Sequence, residues 1–226
     1  MKGKACLWIA ALGTLGSSAE DVPYGVEFLG GIRSGYHQRG MRLSNDLIDL
    51  QLQSRLTLED AVSVNMAIWR AAEASGDFNE FGALASISRE YGEYSVAFEL
   101  AYHSYDSEKV ESGLEASALV DYSLTDHTSV YGSVSSNTAV QNLYAQVGWS
   151  GSHKVSKDSY IQVKSELHMA QNYFGREGLY DLTSRLNYTY NISEMMSLTP
   201  FLSSSIPLDD KEDFNLSTGV WVEVFF

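Results

Sequence analysis

Apolar and polar residues alternate with a period of two along most of this chain. In residues 94–102, Tyr, Val, Phe, Leu and Tyr take every second position, and Ser, Ala, Glu and Ala lie between them. Because successive side chains of a β-strand point to opposite faces, this alternation predicts strands with one apolar and one polar face. We predict twelve strands, with ten or fourteen as alternative counts. They are expected over residues 24–35, 46–58, 62–74, 81–90, 94–104, 114–124, 128–136, 142–150, 159–170, 179–190, 196–206 and 214–226.

The length of these runs distinguishes a membrane barrel from a soluble sheet. Most runs cover ten to thirteen residues, whereas soluble strands usually have about five or six. A tilted strand that crosses a bilayer needs roughly 9–11 residues. Aromatic residues stand near the ends of several apolar faces, where outer-membrane barrels carry their interfacial girdles. These residues are Tyr94, Tyr102, Tyr122, Trp149, Tyr180 and Tyr188. The pattern predicts an all-β, transmembrane, antiparallel up-and-down barrel.

Two segments fit this pattern less well. Residues 67–74, Ala-Ile-Trp-Arg-Ala-Ala-Glu-Ala, have high helix propensity, which weakens the prediction of the third strand. Connections alternate between short and long, as the turns and loops of outer-membrane barrels do, and this arrangement puts both termini on the short-turn side. The connection 150–158 is predicted to be long although a short turn is due there.

The N-terminus has the three parts of a secretory signal. Lys2 and Lys4 precede the apolar stretch 5–16, and Ser17-Ser18-Ala19 supplies the small residues of a cleavage site. The apolar stretch is too short for a membrane-spanning helix, which needs about 20 residues. We therefore predict a signal peptide at residues 1–19 and an exported barrel at 20–226; a buried N-terminal helix is the alternative. Cys6, the single cysteine, lies in the predicted signal, so the mature chain has neither a disulfide nor a cysteine metal site.

The end of the chain and its first loop resemble known outer-membrane proteins. Residues 219–226 finish on Phe226 with apolar residues at alternate positions. This resembles the C-terminal signature through which bacterial outer-membrane barrels reach the barrel assembly machinery, and it implies that Phe226 is an assembly signal. Residues 36–41 read aromatic-x-x-Arg-Gly-hydrophobic and precede an alternating strand, which resembles the TorF-like porins. These resemblances imply a bacterial outer membrane as location, with its lipids and lipopolysaccharide as surroundings.

Charge narrows the possible functions. The chain has 29 acidic and 15 basic residues, a formal net charge of −14, which disfavours binding to nucleic acid phosphates. If the apolar faces contact lipid, the opposite parity lines the lumen. That set includes rings at Trp69, Tyr131, Tyr144 and Tyr160. Its charged members are Glu27, Arg33, Asp49, Arg55, Glu99, Glu115, Asp121, Lys164, Glu166, Asp181, Arg185 and Glu223.

Eight of these lumen residues are acidic and four are basic, a net of −4. Twelve strands enclose more space than eight, so we predict a porin for small polar solutes that leans toward cations. The residues singled out as pore-lining are Asp49, Arg55, Glu99, Glu115, Asp121, Lys164, Glu166, Asp181 and Arg185. A side-chain network that plugs the lumen, in a structural or surface-interaction barrel, is the main alternative.

An outer-membrane lipase or protease is a less favoured alternative. A barrel lipase needs a serine and a histidine within hydrogen-bonding reach near the lipid face. The predicted lipid-facing serines are Ser54, Ser165 and Ser184, whereas His103 and His168 have the opposite parity. No cluster has metal-ligand spacing, and no glycine-rich phosphate loop joins a strand to a helix. The sequence therefore predicts neither an enzyme nor a cofactor.

The signal-peptide hypothesis predicts the N-terminus of the mature protein. Because Ser17 and Ala19 place small side chains where signal peptidase requires them, protein extracted from membranes should begin near Glu20. N-terminal sequencing measures this directly. Recovery of Met1 as the N-terminal residue would show that residues 1–19 are retained.

Overall fold

The computed structural model of this protein describes residues 24–38, 41–58, 61–74, 76, 78–106, 110–139, 142–173, 175–209 and 213–226. The predicted signal peptide, residues 1–19, lies outside the described residues. Within the part of the chain that the structure describes, no helix has the length and apolar character needed to cross a membrane.

Twelve long strands form a closed barrel in which every neighbouring pair is antiparallel. A separate short hairpin consists of β2 (Tyr36–Gln38) and β3 (Met41–Ser44). The barrel strands are β1 (Tyr24–Arg33), β4 (Leu47–Thr57), β5 (Val62–Glu73), β6 (Asn79–Tyr91), β7 (Tyr94–Asp106), β8 (Gly113–Thr125), β9 (Thr128–Asn137), β10 (Asn142–Lys154), β11 (Ser159–Tyr173), β12 (Arg176–Ser193), β13 (Met196–Pro207) and β14 (Asn215–Phe225).

The first and last strands close the barrel. β1 pairs with β14 from Glu27 opposite Phe225 to Arg33 opposite Gly219, and it pairs on its other side with β4. Consecutive strands pair around the rest of the wall. Closure gives the backbone of each strand a partner on both sides and leaves no free sheet edge. The predicted up-and-down barrel and its twelve strands are confirmed, including β5, whose sequence has high helix propensity.

The barrel is apolar outside and polar inside. On β4, the outward Leu50 is 48 % exposed, while the inward Gln51 next to it is 4 % exposed. Tyrosines flank the outer apolar surface at the short-turn side, where Tyr94 and Tyr122 lie with ring centroids 4.6 Å apart. An outer apolar belt with aromatic residues at its border is the surface that a lipid bilayer requires.

The prediction of a long connection over residues 150–158 is wrong. β10 continues to Lys154 and β11 begins at Ser159, so a short turn joins them. Val155 N donates to Ser159 O at 2.9 Å within this turn. Gly151 and Ser152 are not apolar, so the alternation of apolar and polar residues is lost at these positions. The strand continues because pairing with β11 supplies their backbone hydrogen bonds.

Tyr180 is not a lipid-facing girdle residue, contrary to the prediction. In the pairing of β11 with β12, Asp181 lies opposite His168 and Leu179 opposite Met169, which leaves Tyr180 as the extra residue of a β-bulge. The bulge turns Tyr180 and Asp181 to the same side, and each is 1 % exposed. A period-two pattern cannot reveal this change, because it assumes one residue per step on both strands.

The two faces give a paired test on β13. Leu202 points outward and is 44 % exposed, whereas its neighbour Ser203 lines the interior cavity. Leu202→Arg should lower the free energy of unfolding by about 2–4 kcal/mol, the cost of a lipid-facing arginine near the bilayer midplane. Ser203→Arg should cost clearly less, because its charge enters a polar space. Urea unfolding in lipid vesicles measures both, and equal losses would contradict the assignment of faces.

Candidate functional site

The barrel interior contains a cavity that is partly open to solvent. Charged side chains from β1, β7, β8, β11 and β12 line it, together with serines from several strands. Of the residues predicted to line a pore, five line this cavity: Glu99, Glu115, Lys164, Glu166 and Arg185. The cavity is therefore polar and carries both signs of charge.

The other four predicted residues also lie inside the barrel. Asp49, Asp121 and Asp181 are buried. Arg55 Nη2 donates to the buried Ser63 Oγ at 3.1 Å. Their positions follow from the strand pairing, which keeps the alternation in register around the wall.

Ion pairs balance two of the inward acids. Arg33 Nη2 lies 2.8 Å from Asp49 Oδ1, and Lys164 Nζ lies 3.0 Å from Glu166 Oε1. Buried charges are tolerated when they are paired and hydrogen-bonded. These pairs remove much of the field that Asp49 and Glu166 would otherwise exert on a solute.

Three further acids accept hydrogen bonds from neutral groups. Glu27 accepts from the Gln53 amide, and Glu223 Oε2 accepts from Ser197 Oγ at 3.0 Å. Glu115 accepts from a serine and a tyrosine hydroxyl, both at 3.4 Å. Hydrogen bonds from neutral donors stabilise a carboxylate without cancelling its charge.

Arg185 is held against two aromatic rings. Its guanidinium carbon lies 3.9 Å from the ring centroid of Phe201 and 4.8 Å from that of Trp221. Its Nε donates to Asn187 Oδ1 at 2.9 Å. Contact with two ring faces attracts the positive charge of a guanidinium and fixes its orientation. Arg185 thus presents a fixed positive group at the cavity wall.

Large inward rings lie flat along the wall instead of projecting into the lumen. Each of four such rings covers a glycine directly across from it on the neighbouring strand, and a Cβ at that glycine would overlap the ring. Only glycine permits this close approach. The pairs are Trp69 with Gly82, Tyr131 with Gly148, Phe201 with Gly219, and Trp221 with Gly31. These contacts keep bulky side chains out of the central space.

Glu80, which the sequence analysis missed, binds the short hairpin to the wall. Tyr36 of β2 donates through its hydroxyl to Glu80 Oε2 at 2.8 Å. Trp69 Nε1 donates to Glu80 Oε1 at 3.0 Å, and His103 Nδ1 lies 3.1 Å from the same oxygen. The predicted strand began at residue 81, but β6 starts at Asn79 and turns Glu80 inward. Burial, reinforced by the nearby Glu80 charge, raises the pKa of Tyr36, so its hydroxyl stays protonated and donates.

Apolar side chains gather at the long-loop end, around this hairpin. Met41 and Leu43 of β3 are buried in one cluster with Phe78, Val110 and Tyr173. The hairpin therefore packs inward, against side chains from the loops and strand ends across the barrel. A sequence pattern of polar loops does not anticipate such an apolar cover.

Both interior histidines, His103 and His168, contact acidic side chains. His168 Nδ1 lies 3.3 Å from Asp181 Oδ2, and His168 Nε2 lies 3.5 Å from Thr183 Oγ1. On the outer face, Ser165 and Ser184 hydrogen-bond each other at 2.9 Å, on the side of the wall opposite the buried histidines.

Comparison with known proteins identifies the fold. No family model and no curated protein matches this sequence. Among solved structures, KdgM porin superposes with a TM-score of 0.57 at 12 % identity, over 89 % of this chain and 99 % of that one. NanC porin gives 0.58 at 10 % identity, over 88 % and 98 %. An outer-membrane channel from Pseudomonas putida F1 gives 0.62 at 10 % identity, over 92 % and 97 %. The barrel has the fold of bacterial outer-membrane porins, and these comparisons leave the TorF-like resemblance a prediction.

The ring–glycine contacts predict which strand glycines resist substitution. Gly82→Ala should lower the free energy of unfolding by about 1–3 kcal/mol, the usual cost of overpacking, because its Cβ would overlap the Trp69 ring. The control is Gly132→Ala, where a Cβ would meet its nearest atom at 3.5 Å. Thermal or urea unfolding in detergent micelles compares the two. Equal stability of the two variants would contradict the packing argument.

Proposed function

We propose that this protein is a porin of the bacterial outer membrane that passes small polar solutes by passive diffusion. The proposal rests on the distribution of side chains in the barrel: an apolar outer surface surrounds a cavity that is lined by charged and hydroxyl side chains. Diffusion of polar solutes requires a polar, hydrated path of this kind. The process uses neither a cofactor nor a catalytic residue.

The outer-membrane location and its partners are part of the proposal. The outer apolar belt suits membrane lipids, and lipopolysaccharide would surround the long-loop end. Phe226 is 70 % exposed, and its backbone N donates to Val26 O at 2.9 Å, which extends the β1–β14 pairing to the last residue. An exposed terminal aromatic is available for recognition by the barrel assembly machinery, after export directed by residues 1–19.

A modest preference for cations is the finer part of the proposal. The lumen set has eight acids against four bases, and two of these acids, Glu99 and Glu115, line the cavity. The positive charge of Arg185 on β12 opposes this preference. Fixed charges act over about one Debye length, roughly 10 Å at 0.1 M salt, so the preference should weaken as salt rises.

A barrel with a closed lumen is the second candidate function, in a structural or surface-interaction role. The burial of Met41 and Leu43 in the apolar cluster at the long-loop end favours it. In this case the interior ion pairs would serve stability only.

Planar-bilayer recording of refolded protein separates the two candidates. We expect discrete current steps that are ohmic over moderate voltages, because a hydrated polar cavity conducts ions. Complete silence of protein shown by circular dichroism to be folded would contradict the porin role and favour the closed barrel.

Charge neutralisation tests the origin of the selectivity. The double variant Glu99→Gln with Glu115→Gln keeps side-chain size and removes two negative charges from the cavity wall. Reversal potentials across a KCl gradient should shift toward zero relative to the wild type. Glu194→Gln is the control, since this acid is exposed in the turn between β12 and β13. An anion-selective wild-type channel would contradict the proposed preference.

A further inference from the structure

We infer that the hairpin strands β2 and β3 set the narrowest opening of the channel, and that Glu80 is the residue that positions them. The inference rests on the proposed porin function. The size limit for solutes then depends on this inserted segment and its attachment to the wall, and not on the diameter of the twelve-stranded barrel alone.

The hairpin extends inward from its point of origin. It is inserted between β1 and β4, yet the Tyr36 hydroxyl reaches Glu80 on β6, with β5 between β4 and β6 in the wall. Gly35 and His37, on either side of Tyr36, line the interior cavity. The hairpin is therefore part of the boundary of the space through which a solute would pass.

Glu80 joins the hairpin to three strands at once. Its side chain is completely buried. Its two oxygens accept hydrogen bonds from Tyr36 of the hairpin and Trp69 of β5, and one of them contacts His103 of β7. The Tyr105 hydroxyl lies 3.1 Å from His103 Nδ1, and the two rings stack with centroids 5.7 Å apart. Removing the Glu80 charge would leave buried donors without a strong acceptor, which is costly.

A second set of contacts holds the Tyr36 ring itself. The Arg33 guanidinium carbon lies 4.1 Å from the ring centroid, and Arg33 is fixed by its ion pair with Asp49 at 2.8 Å. On the loop side, Phe78 meets the same ring edge-on, with centroids 5.6 Å apart. The Tyr36 ring and its hydroxyl are thus both held in place, which fixes the start of the hairpin against the wall.

The barrel wall does not depend on the hairpin. β1 and β4 pair directly over ten residues, from Tyr24 opposite Leu56 to Arg33 opposite Leu47. The hairpin leaves the wall only after this ladder has ended. We therefore expect the barrel to close when residues 36–44 are replaced by a short Gly-Ser turn.

Bilayer recording of three variants tests the inference. Tyr36→Phe removes one hydroxyl, Glu80→Gln removes the charge with little change of size, and the Gly-Ser replacement removes the hairpin. The replacement should raise single-channel conductance by roughly twofold or more and admit larger polyethylene glycols, since pore diameter limits passage. The two point variants should show larger current fluctuations than wild type. The control is Tyr94→Phe, which removes a tyrosine hydroxyl on the lipid-facing surface and should leave the current unchanged.

The outcomes distinguish this inference from the proposed function. If wild type and the Gly-Ser replacement conduct equally and exclude the same polymers, the hairpin does not set the opening and the inference is overturned, while the porin role stands. If wild type is silent and the replacement conducts, the inference is supported. If both are folded and silent, the porin function is overturned and the inference falls with it. Should the replacement fail to fold, unchanged current in both point variants overturns the inference.

Discussion

The structure depends on one constraint: a strand inside a bilayer has no water to satisfy its backbone polar groups. Each unpaired N–H or C=O there costs several kcal/mol, so only a closed ladder of strands is stable. The pairing of β1 with β14 completes that ladder. Once the ladder closes, the period-two alternation fixes which side chains meet lipid and which are enclosed. The apolar residues go outward, and the charged and hydroxyl residues share a confined space.

The confined space explains the organisation of the interior. Charges that cannot reach bulk water are stabilised by partners on a neighbouring strand, as in the pair of Arg33 with Asp49, or on the same strand, as in the pair of Lys164 with Glu166. Large rings that would block the centre lie over glycines on the next strand. These two arrangements have opposite effects on the volume of the lumen. The side chains of the ion pairs occupy interior volume, whereas the packing of rings against glycines leaves interior volume empty. A cavity remains as a result.

Charge and shape vary along this interior. Acids on β7 and β8 line the cavity, while Arg185 lies on aromatic rings at the wall formed by β12, β13 and β14. The hairpin and the apolar cluster that contains Met41 and Leu43 lie toward the long-loop end. If the protein is the proposed porin, a solute entering there would meet the hairpin first and the mixed charges of the cavity afterwards. Its size and charge selectivity would then depend on different residues.

The sequence by itself determined the twelve barrel strands and the faces of most of their residues, because a side-chain period of two is a local property that can be seen within a single strand. Even residues 67–74, with their helix propensity, form part of β5, since pairing with β4 and β6 outweighs a local preference. Only the tertiary structure decided the contacts between strands. The bulge at Tyr180, the ion pair between Arg33 and Asp49, and the hydrogen bonds of Glu80 all depend on register or on how an inserted hairpin packs. Register and packing join residues far apart in the chain, so alternation along one strand carries no record of them.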